Sequence, residues 1–235
     1  MTEIPKYFLP RSITKFDIPR NIKRISNFAF GYCTSLTSID IPNSVTSIGN
    51  SAFERCKSLK DITIPNSVTS IGPCAFSDCA GLTSIEIPDS ITRIEDYAFY
   101  NCSGLTSITI PASVTSIGDG AFSYCRGLTS ITIPSSVTSI GYDAFEGCTG
   151  LKSINIPNRI TTIEAWTFNG CTSLKSITIP DSVMSIGEGA FYALEELNYL
   201  GTKLEFRATG LTRKRTWRNN KPLLVKCTDE EINLR

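Results

Sequence analysis

Residues 105–125 read LTSITIPASVTSIGDGAFSYC, and 23 positions later residues 128–148 read LTSITIPSSVTSIGYDAFEGC. Outward from this pair the pattern LxSIxIPxSVTSIGxxAFxxCxx recurs, giving eight copies from Ile13 to Glu196. Three columns keep the step: a phenylalanine from Phe30 to Phe191, a proline from Pro19 to Pro180 and a cysteine from Cys33 to Cys171. A fixed period between twenty and fifty residues marks a solenoid, in which each unit touches only its neighbours and one core runs the whole length. A single elongated domain is therefore expected, although 235 residues would allow two globular ones.

Each column has a physical job. In the copy from Leu36 to Ser58 the apolar positions are Leu36, Ile39, Ile41, Val45, Ile48, Ala52, Phe53 and Cys56. Burying them cannot offset the entropy of ordering 23 residues, so stacking is obligatory. The alternation Leu36, Ile39, Ile41 predicts a short strand that Pro42 ends, and SVTSI predicts a second, with Gly49 free to take a positive φ at the corner after it. Ala52, Phe53 and Cys56 fit one helical or 3₁₀ turn that drops phenylalanine and cysteine inward. In-register repetition then forms parallel ladders with rungs about 4.7 to 4.9 Å apart, so eight units span about 40 Å.

The string from Leu105 to Cys125 resembles the repeat of the BspA-like leucine-rich repeat proteins, and the resemblance covers the eight copies. It extends to the tail, where LNYLGTKLEF, a tryptophan (Trp217) and CTD resemble the segment that closes such arrays. What the resemblance implies is an α/β, mainly β, leucine-rich repeat solenoid that binds protein at a cell surface, in adhesion or recognition of a host or partner. The expected organisation is an N-terminal half-repeat cap over 1–12, eight repeats over 13–196, and a C-terminal cap with a basic tail over 197–235. Tyr7 lies 23 residues before Phe30 and so falls in the phenylalanine column, with Pro10 where a cysteine would stand. Terminal caps hide the apolar ends and the open sheet edges that a repeat array would otherwise expose.

Chemistry is mostly excluded. The chain has no histidine, no CxxC and no phosphate loop, which removes imidazole-based triads and the usual zinc sites. The carboxylates Glu54, Asp78, Glu95, Asp96, Asp119, Asp143 and Glu146 are scattered over loop slots, with no pair apart from the rest. The reading is therefore no enzyme, no cofactor and no metal. Cysteines in one column of a parallel stack point the same way and do not face one another as a disulfide requires, so the seven read as reduced, buried, small hydrophobes. Such a row suits a reducing compartment, although buried thiols also survive outside the cell. Cys74 and Cys227 lie off the column, either packed or open to reaction.

What varies between copies is what the core does not dictate. The two slots before the Ala-Phe pair and the two after it carry Phe28, Tyr32, Tyr97, Tyr100, Tyr124, Tyr142, Trp166 and Tyr192. Six of the eight tyrosines fall in them, a concentration typical of binding surfaces, and the residues read either as a partner-binding flank or as a lid over the turns. The strand face, with Lys60, Asp61, Glu86, Lys152, Asn155 and Lys175, is the second candidate surface. The tail concentrates Arg213, Lys214, Arg215 and Arg218, readable as a polyanion contact or as a solvated capping segment. With a net charge of +1 the partner is expected to be a protein rather than nucleic acid, and the chain a monomer. No apolar run long enough to span a membrane and no secretory leader are visible, so the compartment rests on the resemblance alone. A structural spacer within a larger surface protein and an intracellular interaction hub are the alternatives.

Overall fold

The structure, a computed structural model, describes residues 2–192 and 194, together with the backbone of Glu196–Tyr199, Glu205–Phe206, Leu224–Cys227 and Glu231–Ile232. It is a coil of eight turns, numbered here 1 to 8 by their phenylalanines, Phe30 to Phe191. Each unit supplies two short strands to two parallel ladders. In the first ladder Ser38–Asp40 lies beside Asp61–Thr63, and Ser84–Glu86 beside Ser107–Thr109. In the second, Arg24–Ile25, Ser47–Ile48 and Ser70–Ile71 follow one another at the same 23-residue register. Isoleucines 39, 48, 62 and 71 face inward and are buried, as the alternation predicts.

Between the two strands each proline opens a tight turn. Pro42 accepts the Val45 N–H at 2.9 Å, and the same bond forms in all eight units, from Ile22 on Pro19 to Val183 on Pro180. Proline ends the first strand because it has no N–H to give the ladder. The threonine after the valine then ties the units together. Thr46 donates both its N–H, at 2.8 Å, and its hydroxyl, at 3.1 Å, to the Lys23 carbonyl, and Thr69, Thr115 and Thr138 repeat the arrangement.

The third side of the coil differs from the expected helical turn. Among the described residues there is no helix; the segment is a chain of β-turns whose donors alternate in direction. In unit 2, Ala52, Glu54 and Cys56 donate back to Gly49, Ser51 and Phe53 at 3.3, 3.1 and 3.1 Å. The residues between them, Ser51, Phe53 and Arg55, donate instead to Pro73, Ala75 and Ser77 of unit 3, at 2.9, 2.8 and 2.8 Å. A helical turn would aim every N–H back along its own segment. Here two residues per unit, at positions −2 and +2 from the phenylalanine, are left-handed, with φ of 53° at Ser51 and 60° at Arg55. That reversal turns alternate donors toward the next unit, where a one-turn helix would leave them unsatisfied.

The corner glycine also works differently from the expectation. Gly49 is not among the left-handed residues; its role is close approach. A Cβ there would lie 2.5 Å from the Asn27 Oδ1 and 2.6 Å from the Asn27 nitrogen in the preceding unit. Asn27 uses that oxygen to accept the Asn50 N–H at 2.8 Å, and Asp96 and Asp119 do the same for the N–H groups of Asp119 and Tyr142. Glycine follows one unit behind each of Asn27, Asn50, Asp96 and Asp119. Where the preceding unit has Pro73 or Tyr142 in that slot, the corner is Glu95 or Glu164.

The core is one stack. The phenylalanine rings lie 5.0 to 5.6 Å apart, centroid to centroid, with planes within 12° of parallel. Buried leucine, isoleucine, valine and alanine close around them, with Thr167 standing in the alanine column of unit 7. The cysteines do more than fill space. Cys56 donates its S–H to the Phe30 carbonyl at 3.1 Å, and Cys79, Cys102, Cys125, Cys148 and Cys171 repeat the bond to the phenylalanine 26 residues earlier. Each thiol thus supplies a second partner to a buried carbonyl that already accepts a backbone N–H.

The ends depart from the 23-residue step. At the start Glu3–Ile4 lies opposite Arg24–Ile25, a spacing of 21, so Tyr7 aligns with Phe28 and not with Phe30. It is exposed and left-handed at φ 52°, its N–H reaches the Phe28 carbonyl at 3.3 Å, and the two rings sit 5.3 Å apart. Tyr7 therefore belongs to the variable −2 column. At the other end Ser176 pairs with Glu196 and Glu196 with Leu224, and Val225 then pairs antiparallel with Ile232.

Candidate functional site

All eight aromatic candidates stand on the turn side of the coil. Phe28, Tyr97 and Trp166 occupy the left-handed −2 slot, and Tyr32 and Tyr124 the left-handed +2 slot, with φ between 56° and 67°. Tyr100, Tyr142 and Tyr192 sit in the slots beside them. A left-handed bulky residue costs roughly 1 to 3 kcal/mol, and glycine takes the conformation freely. Other units do place glycine there, at Gly120 and Gly189 in the −2 column and at Gly147 and Gly170 in the +2 column. The backbone therefore does not ask for an aromatic.

Three of the rings rest on a glycine one unit along. A Cβ on Gly120 would run into the Tyr97 ring; one on Gly147 would meet Tyr124 at 2.6 Å, and one on Gly189 would meet Trp166 at 2.5 Å. Tyr97, Tyr100 and Tyr124 form a chain of edge-to-face contacts at 5.9 and 5.6 Å. The seated rings remain partly open: Tyr97 keeps 39% of its surface exposed and Trp166 37%, and Tyr142 nearby keeps 52%.

The charge around the rings is acidic in the middle of the coil. Burial and then the carboxylates of Asp143, Asp119 and Asp96 push the Tyr97 hydroxyl up. Burial, then Glu146, does the same at Tyr124. Asp143 is itself held above the usual carboxylate range, by burial and then by Glu146 and Asp119. Arg93 is engaged by Glu95 at 3.1 Å and Asp96 at 3.4 Å, and the Arg126 guanidinium stands 5.8 Å from the Tyr124 ring. A notch of about 480 Å³ opens below Tyr124, lined by Arg126, Glu146, Asn169, Gly147 and Gly170, where the +2 column loses its side chains.

On the strand face Lys60, Asp61, Glu86, Lys152 and Asn155 are exposed, with Lys60 and Lys152 far apart along the coil. Asn155 bridges to unit 6, accepting the Ile133 N–H at 3.0 Å and donating to the Ile133 carbonyl at 2.9 Å. Beside it a shallow groove of about 400 Å³ runs between Ser153, Asn158, Ser176 and Thr178. Cys74 is half-buried and left-handed, and its thiol is pushed up by burial and then by Glu54 and Asp96. The side chains of Arg213, Lys214, Arg215, Arg218 and Cys227 lie outside the described residues. Among the described residues no group of three His, Cys, Asp or Glu is placed to hold a metal ion, and no helix is long and apolar enough to cross a membrane.

Sequence reasoning missed two features of the site: the left-handed slots and the seating of rings on glycines. The signal for the second was present as the pairs Tyr97 with Gly120, Tyr124 with Gly147 and Trp166 with Gly189, each 23 residues apart.

The profile of the BspA type leucine-rich repeat region matches six copies over residues 2–128 and 115–208. Among solved structures, a leucine-rich repeat protein from Bacteroides ovatus is 27% identical with a TM-score of 0.60, over 85% of this chain and 71% of that one. A leucine-rich cell surface protein from Faecalibacterium prausnitzii is 31% identical with a TM-score of 0.54, over 83% and 71%. The T. pallidum leucine-rich repeat protein is 27% identical with a TM-score of 0.54, over 81% and 80%. No curated protein matches the sequence.

Proposed function

Because the chain belongs to the BspA-type leucine-rich repeat family, we propose that it is a non-enzymatic scaffold that binds a protein partner through its aromatic flank, in adhesion or partner recognition. One observation carries this reading: six aromatic side chains, Tyr7 among them, occupy left-handed positions where glycine serves other units without strain. Strained positions kept for bulky, half-open rings are a cost that folding does not require, whereas a contact surface uses such rings well. The similar cell-surface protein from Faecalibacterium prausnitzii supports a surface location for this one.

The test is affinity capture with the intact chain against a variant carrying Tyr97→Gly, Tyr100→Ala, Tyr124→Gly and Trp166→Gly. Glycine preserves the left-handed backbone, so the variant keeps its fold by circular dichroism and loses the captured partner. Capture that is unchanged in the folded variant removes the flank as the interface and leaves the strand face.

A further inference from the structure

The turn flank is not uniform, and its first units show what its rings accept. In the N-terminal segment and unit 1 the chain covers them with cations from its own first turns. The Lys6 ammonium lies 4.9 Å from the ring centroids of both Tyr7 and Phe28, and Tyr32 is held between Arg11 at 5.3 Å and Arg55 at 5.2 Å. A cation over an aromatic face is attracted by the ring quadrupole. Further along, in the same slots, no lysine or arginine among the described residues lies over Tyr97, Tyr100, Tyr142 or Trp166. No ion pair among the described residues takes up Asp119 or Asp143.

The geometry is that of an open cradle. Down the −2 column come Tyr97, Gly120, Asp143 and Trp166, so two rings stand three rungs apart, about 14 Å, with a glycine and a carboxylate between them. Tyr100 backs Tyr97 edge-to-face at 5.9 Å, and the Asp119 carboxylate lies in the adjoining column. Resting on the reading that this flank binds protein, we infer that it receives the basic side chains, arginine foremost, of an extended segment of the partner. The rings of Tyr97 and Trp166 take the guanidinium faces, and Asp119 and Asp143 counter the charge. Arginine suits both parts, because its planar group stacks on aromatics and sheds water more readily than an ammonium.

The test is fluorescence anisotropy of a labelled oligo-arginine peptide titrated with the full chain, at low and at physiological salt, with the emission of Trp166 followed in parallel in a Trp217→Phe background. Two variants are compared with the parent. In the first, Tyr97→Gly and Trp166→Gly remove the rings and keep the backbone. In the second, Asp119→Asn and Asp143→Asn remove charge and keep the oxygen acceptors, as Asn27 and Asn50 do in the Asp119 slot of other units. A third pair, Asp40→Asn and Glu86→Gln, neutralises the strand face as a control. Both flank variants weaken binding about tenfold and the strand-face control leaves it unchanged. Absence of binding at low salt overturns the inference, as does binding that the ring variant leaves intact or that the strand-face control weakens equally. An array of uncharged peptides separates this from the broader reading. If the parent binds those and the ring variant does not, the flank remains a protein-binding surface and only its cationic partner is wrong.

Discussion

The flank of the N-terminal segment with unit 1 and the flank of units 4 to 7 are built on the same core and finished in opposite ways. Around Phe28 and Tyr32 the rings carry Lys6, Arg11 and Arg55 from the chain itself. Around Tyr97 and Trp166 the rings lie on glycines and meet carboxylates, and their outer faces are open. Beneath both regions the phenylalanine stack and the thiol-to-carbonyl bonds do not change. The difference teaches that the surface of this coil is written independently of its interior: the period disciplines what faces in and leaves the turn slots free.

The largest expected effect tests the shared interior. Burial pushes the thiols of Cys102 and Cys171 up to about 12, and those of Cys79, Cys125 and Cys148 well above the ordinary value. In the unfolded chain the same thiols ionise near 8.5. The folded form thus holds protons that the unfolded form has lost, so stability is full below about pH 8.5 and falls as the pH rises toward the folded values. Each thiol removes about 1.4 kcal/mol per pH unit in that window, so the five together remove about 10 kcal/mol by about pH 10. Urea melts under reducing conditions at about pH 8 and about pH 10 measure it. Equal stability at the two would mean that folding does not bury the thiol column beneath either flank.

A smaller effect separates glycines that carry a ring from one that does not. Gly120→Ala strains a backbone at φ 55° and displaces the Tyr97 ring, costing about 1 to 3 kcal/mol. Gly170, at φ 72°, has only Gly147 backbone atoms at 3.5 Å, so Gly170→Asn is nearly neutral in a thermal melt. Comparable losses at the two sites would break the link between ring and glycine.

The smallest change converts the closed flank into the open kind. Arg11→Gln and Arg55→Gln uncover Tyr32, each costing about 0.5 to 1 kcal/mol in a denaturant melt. Arg55 also faces Asp78 at 3.5 Å, an exposed pair that adds little. No loss for either substitution would show that the cations of the first units do not hold the rings.

Much of this was legible in the sequence for a simple reason. A period states which residues are equivalent, and equivalent residues in a stacked coil must lie above one another, so the phenylalanine, proline and threonine columns were readable before any coordinate. The cysteine column was readable as buried but not as a row of donors, because which carbonyl lies within reach of Sγ depends on the rise from one unit to the next. The turn segment was misread as helical because Ala52, Phe53 and Cys56 suit a helical turn as well as tandem β-turns. The choice between them is made by donors that find acceptors only in the neighbouring unit. Tyr7 was placed in the wrong column because counting assumed a 23-residue step, and strand pairing at the end uses 21.

By itself, then, the sequence determined the solenoid, its eight units and the residues that line its core, since hydrophobic burial and strand alternation act within a unit and repeat with it. Only the tertiary structure decided the left-handed turn slots, the seating of rings on the glycines of the next unit and the division of the flank into a covered and an open half. These depend on distances between units, where a backbone donor, a ring or a guanidinium meets a partner that no local pattern specifies.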